Sequence, residues 1–138
     1  MTPYERYEVS FRFRRILVPV DGSESSLRAL DVAVDFAKHY GSTITVLHVS
    51  YAGTRKAVDA VVMARKRLEN QEVRVEYKDV KVDPAFRSVA SAIVEEARDG
   101  YDLVILGARG LSLTPDLNVG SVVLSVVANV DVSVFIVR

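Results

Sequence analysis

The residues with the clearest chemical potential lie between Gly107 and Ser121. Gly107-Ala108-Arg109-Gly110 is followed, after nine residues, by Gly120-Ser121. Glycines let backbone N–H groups approach an anion with no Cβ in the way. A helix opening after Gly120 would add unpaired donors and the positive end of its dipole. The Ser121 hydroxyl is a further donor. This is the chemistry of a phosphate cradle, although a tight turn before an ordinary Gly-Ser helix start has the same spacing. Neither G-x-x-x-x-G-K-[ST] nor G-x-G-x-x-G occurs, which sets aside the Walker loop and the dinucleotide fingerprint.

Groups suited to catalysis are scarce. There is no cysteine, hence no disulfide framework, thiolate metal site or cysteine nucleophile. His39 falls near a helix end, where a cation favours the dipole. His48 falls inside a strand, as a hydrogen-bonded core residue would. Glu95-Glu96 reads as solvent-facing on a helix or as balancing nearby charge. No paired-histidine metal motif, Ser-His-Asp order or acid–base pair emerges, so no catalytic or metal-binding residue is assigned.

Apolar runs alternate with helical patterns and must position the glycine segment. Arg15 to Val20 is a short apolar run ending at Asp21-Gly22, as a strand covered on both faces would be. Ser23 to Tyr40 reads as a helix, with Gly22 or Ser23 at its start and Gly41 as the left-handed residue after it. Thr43 to Val49 is a β-branched strand. Tyr51 to Asn70 carries a partial helical stripe that includes Val58, and its Arg65-Lys66-Arg67 cluster reads as a solvated face. Val73, Val75 and Tyr77 alternate with charged residues, as on a strand near a sheet edge. Asp83-Pro84 reads as the start of the next helix, with Phe86, Val89, Ile93 and Ala97 at helical intervals. Tyr101 to Leu106 is a strand, Val119 to Asn129 a helix and Ser133 to Val137 a fifth strand.

Strands joined by helices in this order run parallel with right-handed crossovers. The expected class is α/β: a single doubly wound, Rossmann-like parallel sheet of five strands in the order 3-2-1-4-5, with helices on both faces. Ligands of such sheets bind beyond the carboxyl ends of the strands, where strand order reverses. Pro19 to Ser23 and Gly107 to Ser121 both occupy such ends.

The whole chain narrows the function classes. Its 138 residues suit one domain, and 49% of them are apolar, which argues against disorder. Eighteen basic residues balance eighteen acidic ones, which argues against a dedicated nucleic-acid binder. The short Phe11-Arg-Phe-Arg-Arg15 stretch reads as the lead into the first strand. No apolar run approaches the roughly 18 residues of a membrane span. The first ten residues lack the apolar core of a secretion signal. The expectation is a cytoplasmic domain over residues 15–138, preceded by an N-terminal extension over residues 1–14.

From Arg15 onward the chain resembles the universal stress protein family. Gly107-x2-Gly110-x9-Gly120-Ser121 matches the family's nucleotide signature, G-x2-G-x9-G-[ST]. Ile16 to Ser23 (ILVPVDGS) looks like its first strand and turn, Leu47-His48-Val49 its second strand, and Asp102 to Gly107 its fourth. The resemblance implies a regulatory stress-response protein that binds an adenine nucleotide, ATP with or without Mg²⁺, with at most weak ATP hydrolysis. It places the base near Pro19, Asp21 and the backbone of Val49. Ribose and phosphates would fall to Gly107, Gly110, Gly120, Ser121 and Val122. The x9 span holds no basic residue, and Pro115 and Asp116 stand within it. A carboxylate there disfavours a triphosphate unless magnesium bridges the two. The segment around Asp83 to Ser88 is longer than is usual in the family, and Ser133 stands where proline is common. The alternatives are a dimeric interaction module of the same fold that binds no nucleotide and a slow ATPase. An apolar edge strand invites pairing with its copy. The resemblance also implies a homodimer through the C-terminal strand, Val132 to Val137, with Val134 and Ile136 or their neighbours near the two-fold axis.

Overall fold

The computed structural model describes residues 13–53, 59–110 and 120–138. Their order is β1 (Arg15–Pro19), α1 (Glu24–Tyr40), β2 (Thr43–Tyr51), α2 (Ala60–Leu68), β3 (Arg74–Val82), α3 (Val89–Ala97), β4 (Leu103–Gly107), α4 (Ser121–Asn129) and β5 (Ser133–Val137). The strands form one sheet in the order β3-β2-β1-β4-β5, and every pairing is parallel. This is the expected doubly wound order, which reverses between β1 and β4.

Alternation along the central strands builds two apolar layers. Ile16, Val18, Ile44, Val46 and Ile105 pack with Leu27, Leu30 and Val34 of α1 and with Ala60, Ala64 and Leu68 of α2. Leu17, Leu47, Val104 and Leu106 point the other way, toward Ile93 and Val94 of α3 and Val123 and Val126 of α4. Burying each large aliphatic side chain contributes about 1.5–3 kcal/mol, so these layers are the main source of cohesion.

Capping sets the helix ends. Ser23 Oγ accepts from the Ser26 amide at 3.2 Å, and Gly41 closes α1 in the left-handed region at φ 70°. Asp59 accepts from the amides of Val61 and Val62 to open α2. The third helix departs from the sequence expectation. Asp83 and Pro84 make an isolated turn, in which Asp83 Oδ1 accepts from the Ala85 amide and Asp83 O from those of Phe86 and Arg87. The helix starts only at Val89, where Ser88 and Ser91 form a reciprocal capping box. Phe86 is left 84% exposed instead of lying on the helix stripe.

β3 extends beyond its expected apolar stretch to Val82, and two polar ties hold this edge strand. His48, 7% exposed, places Nδ1 3.1 Å from Asp79 Oδ1, as expected for a hydrogen-bonded core histidine. Lys78 Nζ and the Tyr101 hydroxyl both donate to Glu96 Oε2 at 2.7 Å. Burial alone would raise the Glu96 pKa. The hydrogen bonds from Lys78 and Tyr101 outweigh it and hold the carboxyl below its ordinary value. Glu96 is therefore a partly buried anchor, whereas Glu95 pairs with Arg87 at the surface. Arg67 of the basic cluster reaches back to Asp31 on α1 at 2.7 Å. None of the described helices is long and apolar enough to cross a membrane.

Candidate functional site

The carboxyl ends of β1 and β4 lie side by side at the reversal of strand order, and a short polar loop follows each. After β1, Pro19 and Val20 are buried, and the Val20 amide donates to Leu47 O of β2 at 2.8 Å. Asp21 Oδ1 accepts from the Ser23 amide at 2.9 Å, and Gly22 takes φ 86°. An aspartate hydrogen-bonded two residues ahead and a glycine in the left-handed region bend the chain into α1. Just past β4, the Ala108 amide donates to Val137 O of β5 at 2.7 Å.

Two serines of α1's opening turn pin the loops together. Ser25 Oγ accepts from the Arg109 amide at 3.3 Å and donates to Val137 O at 3.4 Å. Ser23 Oγ donates to Arg109 O at 3.4 Å. The sequence marks Ser23 as a helix start and the last residue of the turn after the first strand, and does not single out Ser25. Both act across more than eighty residues of chain, and no local pattern announces that.

The three signature glycines serve different ends. A Cβ on Gly107 would come within 2.5–2.6 Å of the backbone and Oγ of Ser25, so α1 can seat against β4 only with glycine there. A Cβ on Gly110 would stand 2.6 Å from Asp21 Oδ2, which ties the loop after β4 to the loop after β1. Gly120 differs. Its φ of −68° and ψ of 156° suit any residue, and among the described residues its Cβ would meet nothing nearer than Ala108 O at 3.6 Å. Nothing among the described residues requires glycine at that position. The Gly120 amide donates to Ala108 O at 2.7 Å, which seats the start of α4 beside the β4 end.

Gly120 is the N-cap of α4 and brings no side chain to its first amides. The other three described helices open on a serine or aspartate cap, and α4 has no acidic residue in its first turn. Its donors and positive dipole end therefore face the strand ends uncompensated by its own residues. Ser121 is exposed and Val122 is 37% exposed there. Val49 is half-buried at the end of β2, one strand beyond Pro19. Pro19, Asp21, Gly107, Gly110 and Gly120 thus lie together at the carboxyl ends of β1 and β4, with Ser121 and Val122 opening α4 beside them and Val49 further along β2. Pro115 and Asp116 lie outside the described residues, as do Phe11 and Val58. No group of three or more histidine, aspartate or glutamate side chains able to hold a metal occurs among the described residues.

Comparison with known proteins agrees with this architecture. Residues 12–138 match the sequence profile of the universal stress protein family. A universal stress protein of Thermus aquaticus is 32% identical over 139 residues, covering 91% of this chain and 99% of its own. Among solved structures, a universal stress protein in complex with cAMP superposes with a TM-score of 0.72. It is 27% identical, and the match covers 92% of this chain and 98% of the other. The universal stress protein of Archaeoglobus fulgidus in complex with dAMP shares the fold at a TM-score of 0.70 and 19% identity, with 91% and 98% covered.

Proposed function

Since the chain belongs to the universal stress protein family, we propose that its strand-end crevice binds an adenine nucleotide, ATP foremost, and that the protein acts by binding rather than by turnover. The observation that carries this is Gly120. Neither its backbone conformation nor packing among the described residues calls for glycine there, and the residue sits at the start of α4. A phosphate against the first amides of α4 explains both features, because a side chain at Gly120 would take its place. The relative solved with cAMP supports the same ligand class.

In this reading the amides of Gly120, Ser121 and Val122 and the Ser121 hydroxyl hold phosphate. Gly107 and Gly110 keep the two loops close enough to form the crevice. Pro19, Asp21 and the backbone of Val49 line the side for the base. Any magnesium arrives with the phosphates and supplies charge neutralisation. A thermal-shift titration with Mg-ATP tests the proposal. At one hundred times the dissociation constant, bound ligand adds about 2.7 kcal/mol of stability. An unchanged melting temperature at millimolar ATP would favour the nucleotide-free interaction module.

The same proposal includes a homodimer, and the contrast between the two sheet edges favours it. β3 carries Arg74, Glu76, Lys78, Asp79 and Lys81, a charged edge of the kind that blocks pairing. β5 (SVFIV) has no charge, and its Phe135 is 43% exposed. On the other face, Leu124 and Val127 of α4 are 52% and 44% exposed. A second copy paired along β5 would cover apolar surface on both sides of that edge, and the chain's zero net charge opposes no such approach. A sedimentation mass matching one chain at micromolar concentration would rule the dimer out.

A further inference from the structure

We propose that the amino end of the sheet, opposite the strand-end site, holds a second binding site, for a small multivalent oxyanion such as a condensed phosphate. A hollow of about 390 Å³ opens there, at the starts of β1, β2, β3 and β4. Arg14, Arg15, Thr43, Arg74 and Asp102 line it, and Gly41 and Gly100 add no side chain to fill it. Its volume falls at the lower end of the range for small-molecule sites, roughly 300–1,000 Å³. The five residues of β1, about 17 Å of strand, separate it from the loops after β1 and β4.

The charges around the hollow do not cancel. Asp102 is the one carboxylate among the described residues that line it, and its Oδ2 accepts from the Arg14 and Arg15 amides, both at 2.9 Å. None of the three arginines pairs with a carboxylate among the described residues. Two of them are held by uncharged groups. Arg15 sets its Cζ 4.4 Å from the centre of the Tyr101 ring and donates to Asp99 O at 2.6 Å. Arg74 donates to Gly41 O at 2.9 Å. These bonds also satisfy carbonyls just past the ends of α3 and α1. Each uses one N–H of the five on a guanidinium, so most of the donors remain for a ligand. Guanidinium forks match phosphate oxygens in pairs, and a fork already held in place loses little freedom on binding. By sequence, Phe11 to Arg15 is only a lead into β1. Arg14 and Arg15 acquire this role because the fold brings Arg74 of β3 to the same hollow.

The test is a calorimetric titration of pyrophosphate into the intact Gly120→Val chain, in which the added side chain obstructs the phosphate end of the strand-end site. The expected result is one pyrophosphate per chain, bound about ten-fold or more weaker when Arg14→Gln and Arg74→Gln are added together. Both arginines are exposed, so the added changes should leave the melting temperature as it was. Amide NMR shifts during the titration should centre on Gly41, Thr43 and Gly100. No saturable binding at millimolar pyrophosphate would overturn the second site. So would binding indifferent to the two arginines, or shifts centred on Gly107, Gly110 and Ser121. ATP binding by the wild-type chain is read separately, so either site can fail without the other.

Discussion

The three signature glycines answer to different neighbours. Gly107→Ala forces a Cβ into the backbone of Ser25, where nothing flexible can yield. It should destabilise the fold by about 1–3 kcal/mol, measured by urea unfolding. Gly120→Val meets no such obstacle among the described residues. It should lose no more than the roughly 1 kcal/mol by which valine is a poorer N-cap, while abolishing ATP binding. The motif marks all three positions alike. The difference comes from Ser25 and Asp21, which the fold carries in from the far end of the chain. Glu96 shows the same limit. Its place in the sequence leaves open a solvated helix face or a nearby charge partner, and the fold decides for the second, setting Lys78 of β3 and Tyr101, just before β4, against it. Its folded pKa lies below the ordinary value of about 4.3, so its contribution is present above that value and is lost as pH falls through the folded pKa. Glu96→Gln should therefore be less stable than wild type at pH 7, with the gap narrowing at pH 3. An unchanged gap in urea titrations at the two pH values would contradict this.

At the scale of elements, the buried strands and α1 are legible because their signals are local: apolar β-branched runs, a serine cap and a closing glycine. The β3-to-α3 connection is not. Asp83-Pro84 has the chemistry of a helix start, but Ser88 has it too, and the helix that opens on Ser88 buries Ala90, Ile93, Val94 and Ala97. Ser88→Ala should accordingly cost about 1 kcal/mol in thermal or urea unfolding. Asp83→Ala should shift stability by no more than about 0.5 kcal/mol, as for an exposed turn. The end of β3 was hidden for a related reason. Lys78, Asp79 and Lys81 interrupt the apolar alternation because an edge strand benefits from charge. Helix α4 looks unremarkable by spacing, and its exposed valines and leucine acquire meaning only beside the uncharged β5.

For the whole molecule, zero net charge and the absence of cysteine favour a binding protein over a nucleic-acid binder or a thiol enzyme. They leave room for an anionic ligand, because amides at an open helix start hold phosphate without formal charge. The doubly wound order puts that helix start, the loop after β1 and the end of β2 at one end of the sheet. The loops of Asp21 and Gly110 meet there. The central claim is that this crevice is a nucleotide site with Gly120 at its phosphate end. Isothermal titration of Mg-ATP into the wild-type chain and into Gly120→Val tests it most directly. The account predicts one nucleotide per chain for the wild type and no binding heat for a variant that still melts cooperatively. Equal binding by both proteins, or no heat from the wild type at millimolar ATP, would contradict it.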